Sequence, residues 1–244
     1  ESYGGADLGE GRKAQVEFVS ANPTGPLHIG HGRGAATGDA LARILSAAGF
    51  EVERQYYIND TGGQMETLGR SVRARCLEIC DREVEFPEDG YGGEYLTEVA
   101  REIVEDIGEG CLDGDAEEVA AALGERAGDM LLARIKTDLA DLGVTFDCFR
   151  SEKELRRQGA VEEAIDELDA GGHVFEEAGA KWFRSTAFGD DKDRPLVKSG
   201  GEPTYFASDV AYHREKFADS SGPVVDVWGA DHHGYVKRVR SALE

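Results

Sequence analysis

The residues best suited to chemistry lie in one loop, the segment SANPTGPLHIGH at positions 20–31. Its two prolines and its first glycine fix an open turn, and the helix that follows presents free N–H groups to a phosphate. His28 and His31 lie on one side of this entry, where imidazole can donate hydrogen bonds to phosphoryl oxygens as negative charge builds. The segment therefore predicts a phosphate-binding loop with two charge-stabilising histidines. The same spacing is also typical of a helix cap.

The elements on either side of this loop predict a sheet that can position it. An apolar strand is expected from Val16 to Val19. Apolar residues then recur at helical spacing from His31 to Ala48, and Gly49 is a suitable residue to end that helix. Alternation from Val52 to Ile58 predicts a second strand. Strand, loop, helix and strand, joined by a right-handed crossover, are typical of the first unit of a nucleotide-binding parallel sheet.

The middle of the chain, residues 67–189, is acidic and helix-rich, which predicts an inserted α+β domain. Near its end the stretch from His173 to Arg184 alternates and turns at Ala178-Gly179, so a hairpin is expected there. The predicted helices of this region run from Glu94 to Ile107, from Glu117 to Leu142 and from Ala160 to Ala170.

From residue 190 onward the α/β rhythm resumes. A helix is expected from Ala207 to Phe217, an apolar strand from Val224 to Trp228, and another helix from near Tyr235. We therefore predict one α/β domain formed by residues 1–66 and the start of its second half at 190–244, interrupted by the insertion at 67–189.

The charge balance is strongly acidic, with 49 Asp and Glu against 27 Lys and Arg and a formal net charge of −22. Taken alone, this excess argues against a nucleic-acid partner, because phosphates need basic residues to replace their counterions. The acidic residues are spread along the whole chain, which favours a highly solvated surface such as that of a halophile, where salt screens the repulsion. An ordinary acidic surface is the alternative.

Neither the apolar runs nor the cysteines point to another class of protein. No apolar run approaches the roughly 20 residues that cross a bilayer, and the N-terminus has no signal-peptide pattern, so a cytoplasmic protein without a membrane partner is expected. The four cysteines lack zinc-ribbon spacing and are expected to be reduced thiols. His232 and His233 are adjacent and have no third ligand at a useful spacing, so no metal site is predicted.

Four segments of the chain, in order, resemble one enzyme family. They are SANPTGPLHIGH at 20–31, YYIND at 56–60, DDKDR at 190–194 leading to PTYFASD at 203–209, and GADHHGY at 229–235. This set is similar to the signature of class I aminoacyl-tRNA synthetases, and specifically to the arginine enzyme. In that family the first segment follows a strand with an acidic residue, a position that Glu17 fills here.

The resemblance implies a Rossmann-type parallel sheet with a helix-rich insertion, and an ATP-dependent ligase that makes arginyl-adenylate and transfers arginine to tRNA(Arg). Magnesium is expected to accompany ATP through its phosphate oxygens. The family also has an N-terminal tRNA-binding domain, a KMSK-type loop and a helical anticodon-binding domain, which are not found in this sequence. A catalytic-core stretch that does not charge tRNA by itself is therefore expected, and it is expected to be monomeric.

The resemblance also assigns residues. A guanidinium group needs a carboxylate and further acceptors or an aromatic face, and the family places it against Tyr205 and Asp209, which lie one helical turn apart. Asp60 and Gln64 are further candidates, because ligands bind at the ends of parallel strands, although Asn59-Asp60 is also an ordinary turn pair. The implied catalytic residues are His28 and His31; the ATP-binding residues are Pro26, His28, Gly30, His31, Gly32, Asp231 and His232; and the arginine-binding residues are Glu17, Ser20, Asn22, His28, Tyr205, Asp209 and His232.

Two other functions remain open at this stage. Another nucleotidyltransferase with a HIGH-type histidine loop would share positions 28–31, but it has no reason to carry the block with Tyr205 and Asp209. A non-catalytic paralogue or binding module would keep the fold and some affinity for arginine or adenosine. Tyr205 and Asp209 would, without the matched block, be read as a core tyrosine and a helix carboxylate, and Trp182 and Trp228 are expected to serve packing.

Overall fold

The computed structural model describes residues 5–244, except for the side chain of Asp231. Its contacts form two compact units, one made of residues up to 20, 32–57 and 146–244, and the other of residues 21–31 and 58–145. In chain order the strands and helices are β1 (Lys13–Phe18), α1 (Ile29–Ala47), β2 (Glu51–Ile58), α2 (Gly63–Ile79), α3 (Glu94–Ile107), α4 (Ala116–Asp141), β3 (Cys148–Ser151), α5 (Glu152–Arg157), α6 (Ala160–Ala170), β4 (Val174–Glu177), β5 (Ala180–Phe183), β6 (Arg194–Val197), α7 (Tyr205–Asp219), β7 (Val224–Val227) and α8 (Val236–Leu243).

The first unit is built on a four-stranded sheet with the order β3-β2-β1-β7. The central strand β1 runs parallel to β2 on one side and to β7 on the other. Val16 and Phe18 of β1 are fully buried, as expected for a strand in the middle of a parallel sheet. The α/β class predicted from the sequence is confirmed.

Helix α1 connects β1 to β2, and it starts at Ile29, two residues before the predicted start. Gly49 follows its end with a φ of 91°, a left-handed conformation that glycine adopts without strain. Gly38 in the same helix lies so close to the Phe18 ring that a Cβ atom there would collide with it. The absence of a side chain at Gly38 therefore lets this helix pack directly on the central strand.

A second, antiparallel sheet in the same unit has the order β4-β5-β6. Its first two strands form the predicted hairpin, and the turn residues Ala178 and Gly179 have φ values of 51° and 77°. Two positive φ angles are the signature of a type I′ turn, which matches the twist of the flanking strands. The apolar core beside this sheet is formed by buried residues of α5, α6, α7 and strands β5 and β6, among them Leu155, Val161, Phe183, Leu196, Phe206 and Val210.

The second unit is helical. Helix α3 has the predicted bounds. Helix α4 begins and ends one residue earlier than predicted, and α2 was not predicted as a separate helix. Helices α2 and α4 touch through glycines, because a Cβ atom on Gly124 would lie 2.9 Å from the Cα of Gly69. The buried core between these helices includes Leu68, Val72, Leu96, Val99, Ile103, Leu123 and Leu131.

The two contact units and the predicted segments divide the chain by different criteria. Residues 146–189, which contain the β4-β5 hairpin, group with the parallel sheet by their contacts. The partition into 1–66, 67–189 and 190–244 follows chain order and stays a prediction. Within the described residues no helix combines the length and the apolar character needed to cross a bilayer.

Candidate functional site

A row of three polar residues crosses the middle of the parallel sheet. Glu17 of β1 pairs in register with Gln55 of β2 on one side and with Asp226 of β7 on the other. Glu17 is only 7% exposed and Gln55 is equally buried. Polar side chains at such depth are costly unless they are hydrogen-bonded, so this row requires partners from the element that covers it.

Helix α7 supplies those partners. The ammonium group of Lys216, which is 1% exposed, donates hydrogen bonds to both Glu17 and Asp226. The same ammonium lies 4.3 Å from the centre of the Tyr212 ring, and the Tyr212 hydroxyl donates to Gln55 Oε1 at 2.8 Å. Each member of the row is thereby bound by a side chain from one face of one helix.

His213 adds a second partner for Asp226. Its Nδ1 lies 2.7 Å from the backbone carbonyl oxygen of Asp209, and its Nε2 lies 2.9 Å from Asp226 Oδ2. The imidazole ring therefore bridges the backbone of α7 and the carboxylate of β7. Burial on its own would raise the pKa of Asp226, but the hydrogen bond from His213 and the charge of Lys216 lower it well below its usual range.

Asp209 lies on the same helix and is the carboxylate assigned to the guanidinium group. Burial raises its pKa to about 6, although the hydrogen bond from Tyr235 and the nearby His213 act in the opposite direction. The hydroxyl of Tyr235 donates to Asp209 Oδ2. Tyr205, one turn earlier at the start of the helix, is 51% exposed, so it offers a free aromatic face next to a carboxylate that is ionised at neutral pH.

Ser20 is held in a strained turn directly after β1. Val19 and Ser20 have φ values of 68° and 42°, and a β-branched residue in this region is a genuine outlier. The turn brings the Ser20 hydroxyl 2.8 Å from Glu17 Oε1, to which it donates, and within 3.1 Å of the Tyr57 backbone N–H, from which it accepts. Ser20 therefore fixes the orientation of the Glu17 carboxylate.

Several aromatic rings lie close together just after the end of β7. The Trp228 ring lies 6.4 Å from His213, 6.0 Å from His232 and 5.9 Å from Tyr235, measured between ring centres. His232 is exposed in the 3-10 turn formed by Ala230–Tyr235. The side chain of Asp231 lies outside the described part of the chain, so its assignment to ATP stays a prediction.

In the second unit, the two histidines of the loop stack on each other with their ring centres 3.7 Å apart. His28 Nδ1 accepts from the Gly30 N–H at 3.1 Å, and His31 Nδ1 accepts from the His28 N–H at 3.3 Å. Partial burial, and then the proximity of His28, lower the pKa of His31, so this ring is neutral at pH 7. Its Nε2 then carries the proton and can donate it in a hydrogen bond to a phosphoryl oxygen.

The loop is tied to the helices of its own unit at two points. Asn22 donates to Gln64 Oε1 at 2.5 Å, so two predicted site residues meet, and the Tyr95 hydroxyl donates to the Thr24 carbonyl oxygen at 2.7 Å. Beside these contacts lies a pocket of about 320 Å³ within this unit. It is lined by Asn22, Thr24, Gly25, Pro26, His31, Tyr91 and Tyr95.

The remaining predicted residues have simpler positions. Pro26 is exposed and lines the pocket just described, and Asp60 follows the end of β2. A Cβ atom on Gly30 would lie 2.8 Å from His28 Cε1, so glycine is required for the observed histidine position, whereas the same test at Gly32 meets open space. Within the described residues no three His, Cys, Asp or Glu side chains gather as metal ligands.

Sequence reasoning missed the residues that support the assigned carboxylates. His213 and Lys216 follow Asp209 by four and seven residues, so they share its helix face, yet they lie outside the matched segments. Polar residues at this spacing in a helix with buried neighbours are a signal that could have found them. Tyr235 lay inside a matched segment, but nothing in its local sequence links it to Asp209, which is 26 residues away.

The family model described as "tRNA synthetases class I (R), catalytic domain" matches residues 1–238. Curated arginine–tRNA ligases from Geobacter sp. (strain M21) and Syntrophotalea carbinolica are 54% and 55% identical over 244 and 241 residues, and the matches span 100% and 99% of this chain. The chain spans 44% of the length of each of these relatives.

Two solved structures agree with these matches. A putative arginyl-tRNA synthetase from Campylobacter jejuni superposes with a TM-score of 0.87 at 37% identity, over 97% of this chain and 53% of that one. The Thermus thermophilus arginyl-tRNA synthetase gives a TM-score of 0.60 at 30% identity, over 83% and 35% of the two chains. The fold and the family model agree, and the chain belongs to the class I tRNA synthetases of the arginine type, as part of their catalytic domain.

Proposed function

We propose that this chain is the part of an arginine–tRNA ligase that activates L-arginine with ATP and passes it to tRNA(Arg). The observation that carries the proposal is the buried carboxylate of Asp209, ionised above a pKa of about 6 and held by Tyr235 beside the exposed ring of Tyr205. A planar cation that also stacks on an aromatic ring suits this arrangement.

The amino acid is recognised by its charged ends. The guanidinium group pairs with Asp209 and lies against Tyr205, and Glu17 serves the α-amino group, as the family resemblance implies. Asn22 and His232 are proposed for the α-amino and α-carboxylate ends. The carboxylate of arginine then attacks the α-phosphorus of ATP, pyrophosphate leaves, and a terminal ribose hydroxyl of tRNA accepts the arginyl group in the second step.

The family resemblance gives ATP-binding roles to residues of the histidine loop and, separately, to residues of the turn at 230–235. Neutral His31, with His28, donates hydrogen bonds to phosphoryl oxygens as negative charge develops on them, which accelerates the reaction by charge stabilisation without a proton transfer. Pro26, Gly30 and Gly32 are proposed to lie along the nucleotide, as is Asp231. Mg²⁺ is proposed to arrive with ATP on its phosphate oxygens.

The complete activity needs more chain than is described here. Because this chain spans 44% of the length of its curated relatives, a triphosphate-gripping loop and tRNA-binding domains are proposed for the rest of the protein. Basic residues there would also offset the net charge of −22 when tRNA binds. A cytoplasmic location and a salt-adapted acidic surface are part of the same proposal.

The decisive experiment is aminoacylation by the full-length protein that contains this chain, with tRNA, ATP and labelled arginine. We expect arginine to be attached and lysine to be rejected by a large factor, because lysine lacks the planar fork of donors. Transfer of a nucleotide to another small acid would favour a different nucleotidyltransferase, and arginine binding without adenylate formation would favour a non-catalytic paralogue.

A further inference from the structure

Lys216 is the least expected residue of the polar cluster on the sheet. It is 1% exposed and lies on a helix face whose other members are assigned to arginine or pack against the sheet. A lysine at such depth is rare unless it is fully paired. Its ammonium group donates hydrogen bonds to Glu17 and Asp226 and lies over the face of the Tyr212 ring. The positive charge is therefore paired within the protein.

These hydrogen bonds link two carboxylates, Glu17 and Asp226, to the one ammonium group of Lys216. His213 is a further partner of Asp226 alone, whereas Ser20 is a further partner of Glu17. The neighbouring carboxylate of Glu152 is bound by Arg156 at 2.6 Å. Lys216 is therefore the basic side chain that Glu17 and Asp226 share.

Removing the ammonium would leave Glu17 and Asp226 adjacent in the sheet register without the lysine charge that they share. Two carboxylates at such proximity do not both stay ionised in a buried setting, so one of them takes up a proton. Asp226 keeps its direct bond to His213, so Glu17 is the group that becomes neutral. Loss of Lys216 would therefore weaken arginine binding through the neutral Glu17, without any direct contact between Lys216 and the substrate.

We propose that Lys216 is a positioning residue of the arginine site, which keeps the Glu17 carboxylate ionised and oriented for a cationic end of arginine. This inference rests on the proposed function, because it takes Glu17 as a residue that binds a cationic end of arginine. It assigns to Lys216 a role in amino-acid affinity and none in ATP binding.

Several titratable groups lie around Glu17 and Lys216, and their charges also bear on the pH dependence of the arginine KM. Burial, and then neighbouring carboxylates, raise the pKa of both Tyr57 and Tyr212 far above the working range, so both stay neutral. Burial also raises the pKa of Cys148. The groups facing Glu17 and Lys216 from the surrounding elements are Ser20 after β1, Gln55 and Tyr57 on β2, Cys148 on β3, Glu152 on α5, Asp209, Tyr212 and His213 on α7, and Asp226 on β7.

The test compares Lys216→Met with Lys13→Met in the full-length protein. Lys13 opens the same strand that carries Glu17, but its side chain is exposed, so it controls for loss of a positive charge. For Lys216→Met we expect the KM for arginine at pH 7 to rise at least about tenfold, with the KM for ATP within about twofold. The arginine KM should return towards the wild-type value by pH 9, because Glu17 ionises again.

A second variant separates charge from packing. Lys216→Met with Asp226→Asn removes the competing carboxylate, so the recovery of arginine affinity should occur at lower pH than in Lys216→Met alone. An unchanged arginine KM, or an increase that is equal from pH 6 to 9, would overturn the proposal. Loss of folded structure in both variants, seen by circular dichroism, would also overturn it, since Lys216 would then serve stability alone.

The outcome for the wild-type protein distinguishes the two proposals. Absence of arginine-dependent activity there removes the proposed function and this inference together. Normal wild-type activity with an unaffected Lys216→Met variant removes this inference alone.

Discussion

The polar face of α7 and the histidine loop differ in their burial and in the kind of group that they present to a ligand. Glu17, His213 and Lys216 are at most 7% exposed, and every hydrogen-bonding group among them is matched to an opposite charge or dipole. His28 is exposed and His31 partly buried, and each uses one ring nitrogen on the backbone. The first region presents fixed charge, and the second presents ring N–H donors, of which His31 is neutral at pH 7.

This difference in burial determines which property of a ligand each region can recognise. A buried, ionised carboxylate discriminates by charge, because an unpaired buried charge is costly and only a cation relieves it. A neutral donor near solvent contributes little to ground-state binding and gains strength when negative charge develops on its partner. We therefore expect amino-acid specificity to reside in α7 and its neighbours, and rate acceleration to reside in the loop. Each prediction below concerns the full-length protein.

The largest effect is expected for Asp209→Asn. Loss of the only carboxylate assigned to the guanidinium should raise the KM for arginine by roughly 10² to 10³, since leaving a buried charge unpaired costs about 3–5 kcal/mol. The KM for ATP should hardly change. Steady-state kinetics with Asp219→Asn as the control, at the exposed end of the same helix, checks this, and an unchanged arginine KM would refute the assignment.

For His31→Ala we expect the rate of adenylate formation to fall by roughly 10² to 10³, with little change in the affinity for ATP, as for the loss of one transition-state donor. Pyrophosphate exchange at saturating ATP, with tRNA present, is the assay. Thr37→Ala, an exposed position further along α1, is the control. An effect confined to ATP binding would show that the loop and α7 do not divide their tasks in this way.

The pH dependence should separate the two regions further. Asp209 loses its charge as pH falls through about 6, so kcat/KM for arginine should drop about tenfold per pH unit below that value. The same raised pKa means that ionised Asp209 destabilises the free protein: its favourable contribution is full below about pH 4 and is lost as pH rises through 6. Asp209→Asn should therefore melt higher than wild type at pH 7.5, and a flat arginine profile from pH 5 to 7 would contradict both statements.

Tyr95→Phe should have a smaller effect on the loop. The Tyr95 hydroxyl bonds the Thr24 carbonyl oxygen at 2.7 Å, and one such bond contributes about 0.5–1.5 kcal/mol. Adenylate formation should slow by about two- to tenfold, with the arginine KM unchanged. Tyr91→Phe, which lines the same pocket, serves as the control, and equal effects of the two variants would deny Tyr95 its specific role.

The smallest expected effect concerns salt. With a net charge of −22, the melting temperature should rise by a few degrees with monovalent salt up to about 1 M, where the Debye length falls to about 3 Å. The arginine KM should stay within about twofold over the same range, because the pairs beneath α7 are buried. A melting temperature that is flat or falls would remove the salt-adapted interpretation.

Much of the fold could be predicted because local signals were strong. Helices α3 and α6 have the predicted bounds, and the hairpin turns at Ala178-Gly179, where the alternation of the flanking residues predicted it. Strand β6 was missed because it has four residues and contains Pro195, which is tolerated only at a sheet edge or bulge. Helix α2 was missed because its apolar residues form a weaker stripe along one face than those of α3.

The site divides in the same way. The matched segments identified Glu17, Ser20 and Asp209 as candidates, since they lie within or next to recognisable blocks. They could not identify Lys216 or Tyr235 as partners, because those contacts depend on how distant elements pair in the sheet and across the helix. The strained backbone at Val19 and Ser20 was equally invisible, since neither residue type favours a positive φ.

The bond between Lys216 and Glu17 has a further consequence for how the protein is made. Its two residues are 199 positions apart, and Asp226 lies later still. During synthesis at about 5–20 residues per second, Glu17 emerges from the ribosome at least about ten seconds before its cation exists. Strand β1 therefore cannot bury its carboxylate in the native way until α7 and β7 have emerged, and the pairing of β1 with β7 completes the parallel sheet only after that point.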